Sequence, residues 1–128
     1  MKKILTLCSM LVFIGCRQVE KKPLQLAPAA FEKQAKEPQV QLVDLRTPEE
    51  FKTGYIEGAL LLNWKDSVAF KAGAQQLQQN KPVYLYCKSG GRSAKAADWF
   101  LKQGFKEVVE LKGGIESWRS SGLPILTK

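Results

Sequence analysis

One stretch of this sequence concentrates residues able to do chemistry: Cys87-Lys88-Ser89-Gly90-Gly91-Arg92-Ser93. The cysteine directly follows the apolar run Val83-Tyr84-Leu85-Tyr86, and a helical pattern begins just after Arg92. Glycines let a tight loop turn its backbone N–H groups inward, making an anion-binding nest. The helix that follows adds the positive end of its dipole, and Lys88 and Arg92 add full charges. Each of these favours thiolate over thiol, so Cys87 is expected to be the working nucleophile. A free cysteine can also be a small buried hydrophobe, but a core cysteine has no need of a glycine-rich cationic loop after it.

Composition narrows the chemistry further. The 128 residues allow one domain. There is no histidine, which excludes Ser-His-Asp and Cys-His catalysis and histidine metal sites. With a single cysteine in the folded part, no metal site, internal disulfide or bound cofactor is expected. The formal charge is +8, and without Lys2 and Lys3 the excess is about six. That balance suits a small anionic substrate or a membrane surface. Nucleic acid is not expected, because no basic stripe interleaved with aromatics is present.

Lys2 and Lys3 precede an apolar run from Ile4 to Ile14, of signal-peptide length and too short to span a bilayer. The run ends Phe13-Ile14-Gly15-Cys16, and a small residue before cysteine here resembles the bacterial lipobox. That resemblance implies a signal peptide over 1–15, acylation at Cys16, and a tether over 16–23. It implies a cell-envelope lipoprotein on the periplasmic face of a membrane, and Arg17 after the cysteine favours the outer one. An ordinary secretory peptide is the alternative. Cys8 falls within the signal segment, leaving Cys87 as the thiol of the domain, 24–128.

Strands and helices then alternate to position the loop. Strands are expected at Leu24–Leu26, Gln39–Asp44, Ala59–Leu62, Val83–Tyr86 and Val108–Leu111. Helices are expected from Pro28 to about Lys36, from Thr47 to Gly54, over Ser67–Gln79 and Ser93–Gln103, and from about Ile115 to Arg119. Thr47-Pro48-Glu49-Glu50 has the form of a capping box. Asp44 and Arg46 are expected to tie loops together by an ion pair or hydrogen bonds, with Glu50 as structural support. The three tryptophans are read as packing residues. This alternation implies an α/β fold with a central parallel five-stranded sheet and helices on both faces.

Three ordered motifs resemble those of the rhodanese family. The first is Cys87 with glycine three residues later and then Arg92-Ser93. The second, upstream, is Asp44-Leu45-Arg46-Thr47-Pro48-Glu49-Glu50-Phe51 with Gly54-Tyr55-Ile56-Glu57-Gly58-Ala59. The third, downstream, is Leu111-Lys112-Gly113-Gly114 with Trp118, Gly122 and Pro124. Tyr55 stands where the family usually has histidine. The resemblance implies a monomeric sulfurtransferase: Cys87 takes the outer sulfur of thiosulfate or a persulfide donor and passes it to a thiol or cyanide. Lys88 and Arg92 would hold the anionic donor within the loop of Lys88, Ser89, Gly90, Gly91, Arg92 and Ser93. Cysteine phosphatases and arsenate reductases share this architecture but place five residues between cysteine and arginine, and this chain has four. A binding module that does no chemistry is the other alternative, and such modules often lack the cysteine.

Overall fold

The computed structural model describes residues 15–16 and 20–127. Lys2, Lys3, the Ile4–Ile14 run and Arg17 lie outside them. Five strands and five helices alternate: β1 (Leu24–Leu26), α1 (Pro28–Ala35), β2 (Gln41–Asp44), α2 (Pro48–Lys52), β3 (Leu60–Leu61), α3 (Ser67–Ala74), β4 (Val83–Tyr86), α4 (Gly91–Lys102), β5 (Val108–Leu111) and α5 (Gly114–Ser120). All strand pairs are parallel, in the order β1-β5-β4-β2-β3. β4 and β5 are buried along their whole length. Such strands must be apolar on both faces, and Val-Tyr-Leu-Tyr meets that demand.

Alternation divides β4 between two cores. Val83, Leu85 and the following Cys87 pack with Phe70 and Ala74 of α3 and Ala96, Ala97 and Phe100 of α4. Tyr84 and Tyr86 face the other way, with Phe31 of α1 and Ile115 and Trp118 of α5. The small alanines of α4 let that helix approach the sheet closely beside the cysteine.

Several element boundaries differ from the sequence expectation; β3 covers only Leu60–Leu61 and α2 ends at Lys52. β2 starts at Gln41, because Val40 N–H closes a turn on Glu37 O. α3 ends at Ala74, well before Gln79. Four residues further on, the Gln41 side chain accepts from Gln78 N–H at 2.7 Å and donates to Gln78 O at 2.9 Å, tying the chain after the helix to the start of β2. α4 starts at Gly91, two residues before Ser93, with Gly90 as its N-cap at φ +116°. Only glycine adopts that backbone readily.

Candidate active site

Cys87 sits just past the C-terminal end of β4, between β2 and β5, where open parallel sheets bind their ligands. Its Sγ accepts hydrogen bonds from Gly90 N–H at 3.1 Å and Ser93 N–H at 3.4 Å. Both donors belong to the cap and first turn of α4, so the loop and helix together aim partial positive charge at one sulfur. Cys87 is only 1% exposed. It lies on a pocket of about 580 Å³ lined also by Trp64, Lys65, Ser89, Gly91, Arg92 and Lys95.

The loop is clamped from behind by α5. Ile115 N–H donates to Cys87 O at 2.9 Å and Glu116 N–H to Lys88 O at 3.1 Å. That approach requires glycine at 114, where φ is +64° and a Cβ would fall against the Lys88 carbonyl and 2.7 Å from Cys87 O. Gly114 thus serves the Cys87 loop by letting a neighbouring backbone reach it, whereas a side chain at Gly113 would meet Ser117 of α5.

The upstream motif reaches the site through a chain of charged groups. The Arg46 guanidinium is buried and donates to Asp44 from Nε at 3.0 and 3.1 Å and from Nη2 at 2.6 Å. It also donates to the carbonyls of Glu50 at 3.3 Å and Gly54 at 2.7 Å. Burial opposes the Arg46 charge, yet the bonds and charge of Asp44 outweigh it and hold the group upward. Thr47 and Glu50 form the complete capping box of α2. The same Glu50 carboxylate receives Arg92 Nη1 at 2.7 Å and Nη2 at 2.9 Å. This two-point bond, ahead of the other contributions, holds Glu50 down at about 2, against an ordinary 4.5. It likewise raises Arg92.

Of the loop residues singled out from sequence, Ser89, Gly91 and Arg92 line the pocket with Cys87, while Gly90 and Ser93 supply N–H donors. Lys88 does not line it; its Nζ lies 3.7 Å from Glu116. Trp64, Lys65 and Lys95 went unnoticed as pocket residues, since Trp64 and Lys65 arrive from the segment after β3. Lys65 and Lys95 make no ion pair among the described residues. Tyr55 stacks on Phe51 at 4.2 Å between ring centroids and pairs its backbone with Leu126. Trp118 packs on the far face of the sheet and donates from Nε1 to Pro124 O. Cys16 is exposed.

A family model described as "Rhodanese-like domain" matches residues 27–121. The chain belongs to that family. Among rhodanese-like relatives, a "Sulfurtransferase" of Allochromatium vinosum is 38% identical over 87 residues, covering 68% of this chain and 78% of the relative. A "Thiosulfate sulfurtransferase GlpE" of Pseudomonas aeruginosa is 39% identical over 88 residues, covering 69% and 77%. The solved structure of a "Polysulfide-sulfur Transferase Homodimer" from Wolinella succinogenes is 28% identical, with a TM-score of 0.67. It covers 83% of this chain and 80% of its own. The rhodanese-like fold and a sulfurtransferase kinship are thus established for this chain.

Proposed function

We propose that this protein transfers sulfane sulfur through a persulfide on Cys87. The observation that carries this reading is the buried Sγ receiving two N–H donors on the floor of a cationic pocket. Donors aimed at a sulfur stabilise negative charge on it without reorganising during reaction. Thiolate attack then needs no general base, in keeping with a chain that lacks histidine.

In the first half-reaction, the thiolate attacks the outer sulfur of thiosulfate. A bond forms from Sγ to that sulfur, the donor's S–S bond breaks, and sulfite departs with the electron pair. In the second, a thiolate or cyanide attacks the outer sulfur of the persulfide. The new bond forms as the Sγ–S bond breaks, and its electron pair returns to Cys87. Two such displacements give ping-pong kinetics. Lys65, Lys95 and Arg92 offset the donor's negative charge. Glu50 neutralises part of the Arg92 contribution, so the two lysines carry more of this task than the loop itself.

Incubating the purified domain with thiosulfate should add the mass of one sulfur to the peptide containing Cys87, and cyanide should remove it as thiocyanate. Cys87→Ser should abolish both. A reduced Cys87 that gains no sulfur would sink the reading and leave a module that only binds. The proposal extends to place: export with acylation at Cys16, holding the domain at the periplasmic face of a membrane, preferentially the outer one. Cys16→Ser should then move the protein from the membrane to the soluble fraction, and an unchanged distribution would dismiss the anchor.

A further inference from the structure

Glu110 is a carboxyl that the proposed mechanism does not use. It sits on β5 and is only 3% exposed. Its position follows from alternation: Val108 and Glu110 face α4, whereas Val109 and Leu111 face α1 and α5. Glu110 pairs in register with Leu85, two residues before Cys87. Among the described residues no cation pairs with it. An isolated buried carboxylate is costly, so its surroundings must satisfy it in another way.

The Ser93 hydroxyl shows how. Ser93 Oγ lies 2.9 Å from Glu110 Oε1 and 3.1 Å from Gly90 O. A hydroxyl has one proton to give. If Glu110 is ionised, both neighbours are acceptors and only one can be bonded fully. If Glu110 carries a proton, the chain closes in one direction: the carboxyl donates to Ser93 Oγ, and Ser93 donates to Gly90 O. Gly90 and Ser93 are the two residues whose N–H groups hold the Cys87 sulfur.

We propose that Glu110 is a positioning residue for the Cys87 loop, donating its carboxyl proton to Ser93 so that Ser93 pins Gly90 and both N–H groups stay aimed at sulfur. The surroundings act in both directions, and their net effect is upward. Burial pushes the Glu110 carboxyl upward; hydrogen bonds from Ser93 on α4 and Gln25 on β1 pull it down, and Asp98 on α4 raises it again. From β4 the facing groups are Leu85 and, just beyond the strand, Cys87. The sign is that of a raised acid: the protonated form holds below the folded-state value and is lost as pH rises through it. Ionisation would turn the Ser93 hydroxyl to Glu110, leave Gly90 O to the Ala94 N–H alone at 3.1 Å, and bring a negative charge near Cys87.

This inference rests on the sulfurtransfer reading for its effect on turnover, so two readouts are needed. One is the single-turnover rate of sulfur loading from thiosulfate; the other is alkylation of Cys87 by iodoacetamide, which involves no sulfur donor. Both are measured across pH for the wild type, Glu110→Gln and Glu110→Val, with folding checked by thermal melting. Glu110→Gln keeps a donor for Ser93 but cannot ionise. It should match the protonated wild type and lack the decline seen as Glu110 ionises. Glu110→Val should slow both reactions about tenfold, roughly the worth of one net hydrogen bond. Superimposable pH profiles for the wild type and Glu110→Gln, or a Glu110→Val variant as fast as the wild type, would overturn the proposal. Variants that differ in alkylation while no protein loads sulfur would instead overturn the sulfurtransfer reading and leave the positioning role standing.

Discussion

Two carboxyl groups are buried at the C-terminal edge of this sheet, and they are solved in opposite ways. Asp44, at the end of β2, is fully enclosed and meets a guanidinium through bonds from Nε and Nη2 and a backbone N–H. Glu110, in β5, is buried almost as deeply and meets the Ser93 hydroxyl and the Gln25 side chain. The first is a charge cancelled by a charge, which makes a strut between β2 and the α2 segment. The second has no opposing charge, which makes it sensitive to protons. Depth of burial alone therefore does not say what a buried acid is for; its partner does.

The largest effect should come from breaking the strut. Arg46→Ala strands the buried Asp44 charge and leaves the Gly54 carbonyl without its guanidinium donor, and should cost about 3–5 kcal/mol, read from urea unfolding. A loss under about 1 kcal/mol would mean that water replaces the guanidinium and that the strut is weaker than its geometry implies.

Glu50 offers an intermediate case, because its partner Arg92 is partly solvated. Glu50 is held down, so its stabilising contribution is present above the ordinary 4.5 and is lost as pH falls toward about 2. Glu50→Gln should remove that acid-limb loss and cost on the order of 1 kcal/mol at neutral pH, since solvent screens the pair. Equal acid unfolding profiles for variant and wild type would show that the Glu50–Arg92 bond opens in solution. Glu50→Gln also frees Arg92 toward the pocket, so KM for thiosulfate should fall about two- to threefold, a fraction of a kcal/mol.

The smallest effect belongs to Glu110→Gln. Its stability should equal that of the wild type in acid and exceed it as pH rises, since a raised acid loses its contribution in that direction. A variant less stable at all pH values would place Glu110 with Asp44, as a charge the fold needs.

The contrast also shows what was legible beforehand. The Cys87 loop could be read because its signals are local: an apolar strand, two glycines and a helix start lie within a dozen residues. The order of strands and helices followed for the same reason. The course of the chain after α3 could not, since Gln78 is held there by Gln41, 37 residues away in sequence. Nor could the Lys65 and Lys95 side of the pocket, which exists only once the segment after β3 is folded over α4. Glu110 left a trace that went unused: an acid in the run Val108-Val109-Glu110-Leu111, where a parallel sheet buries both faces. The motif residues Gly113 and Gly114 are visible as a pattern, but the purpose of Gly114 requires seeing Lys88 against it.

The enclosure of Cys87 has a steric consequence for the proposed cycle. At 1% exposure, the empty sulfur lies too deep for another protein's thiol to pair with it, since a disulfide needs both Cβ atoms within about 4.5 Å. In that proposed cycle, loading would add one atom about 2 Å beyond Sγ, on the side of the pocket that Cys87 lines. On that proposal the empty protein would hide its reactive atom, and the loaded one would present it. A bulky acceptor can thus collect sulfur from a site whose bare thiol it could never reach, and an oxidising compartment would find little to trap in the resting state.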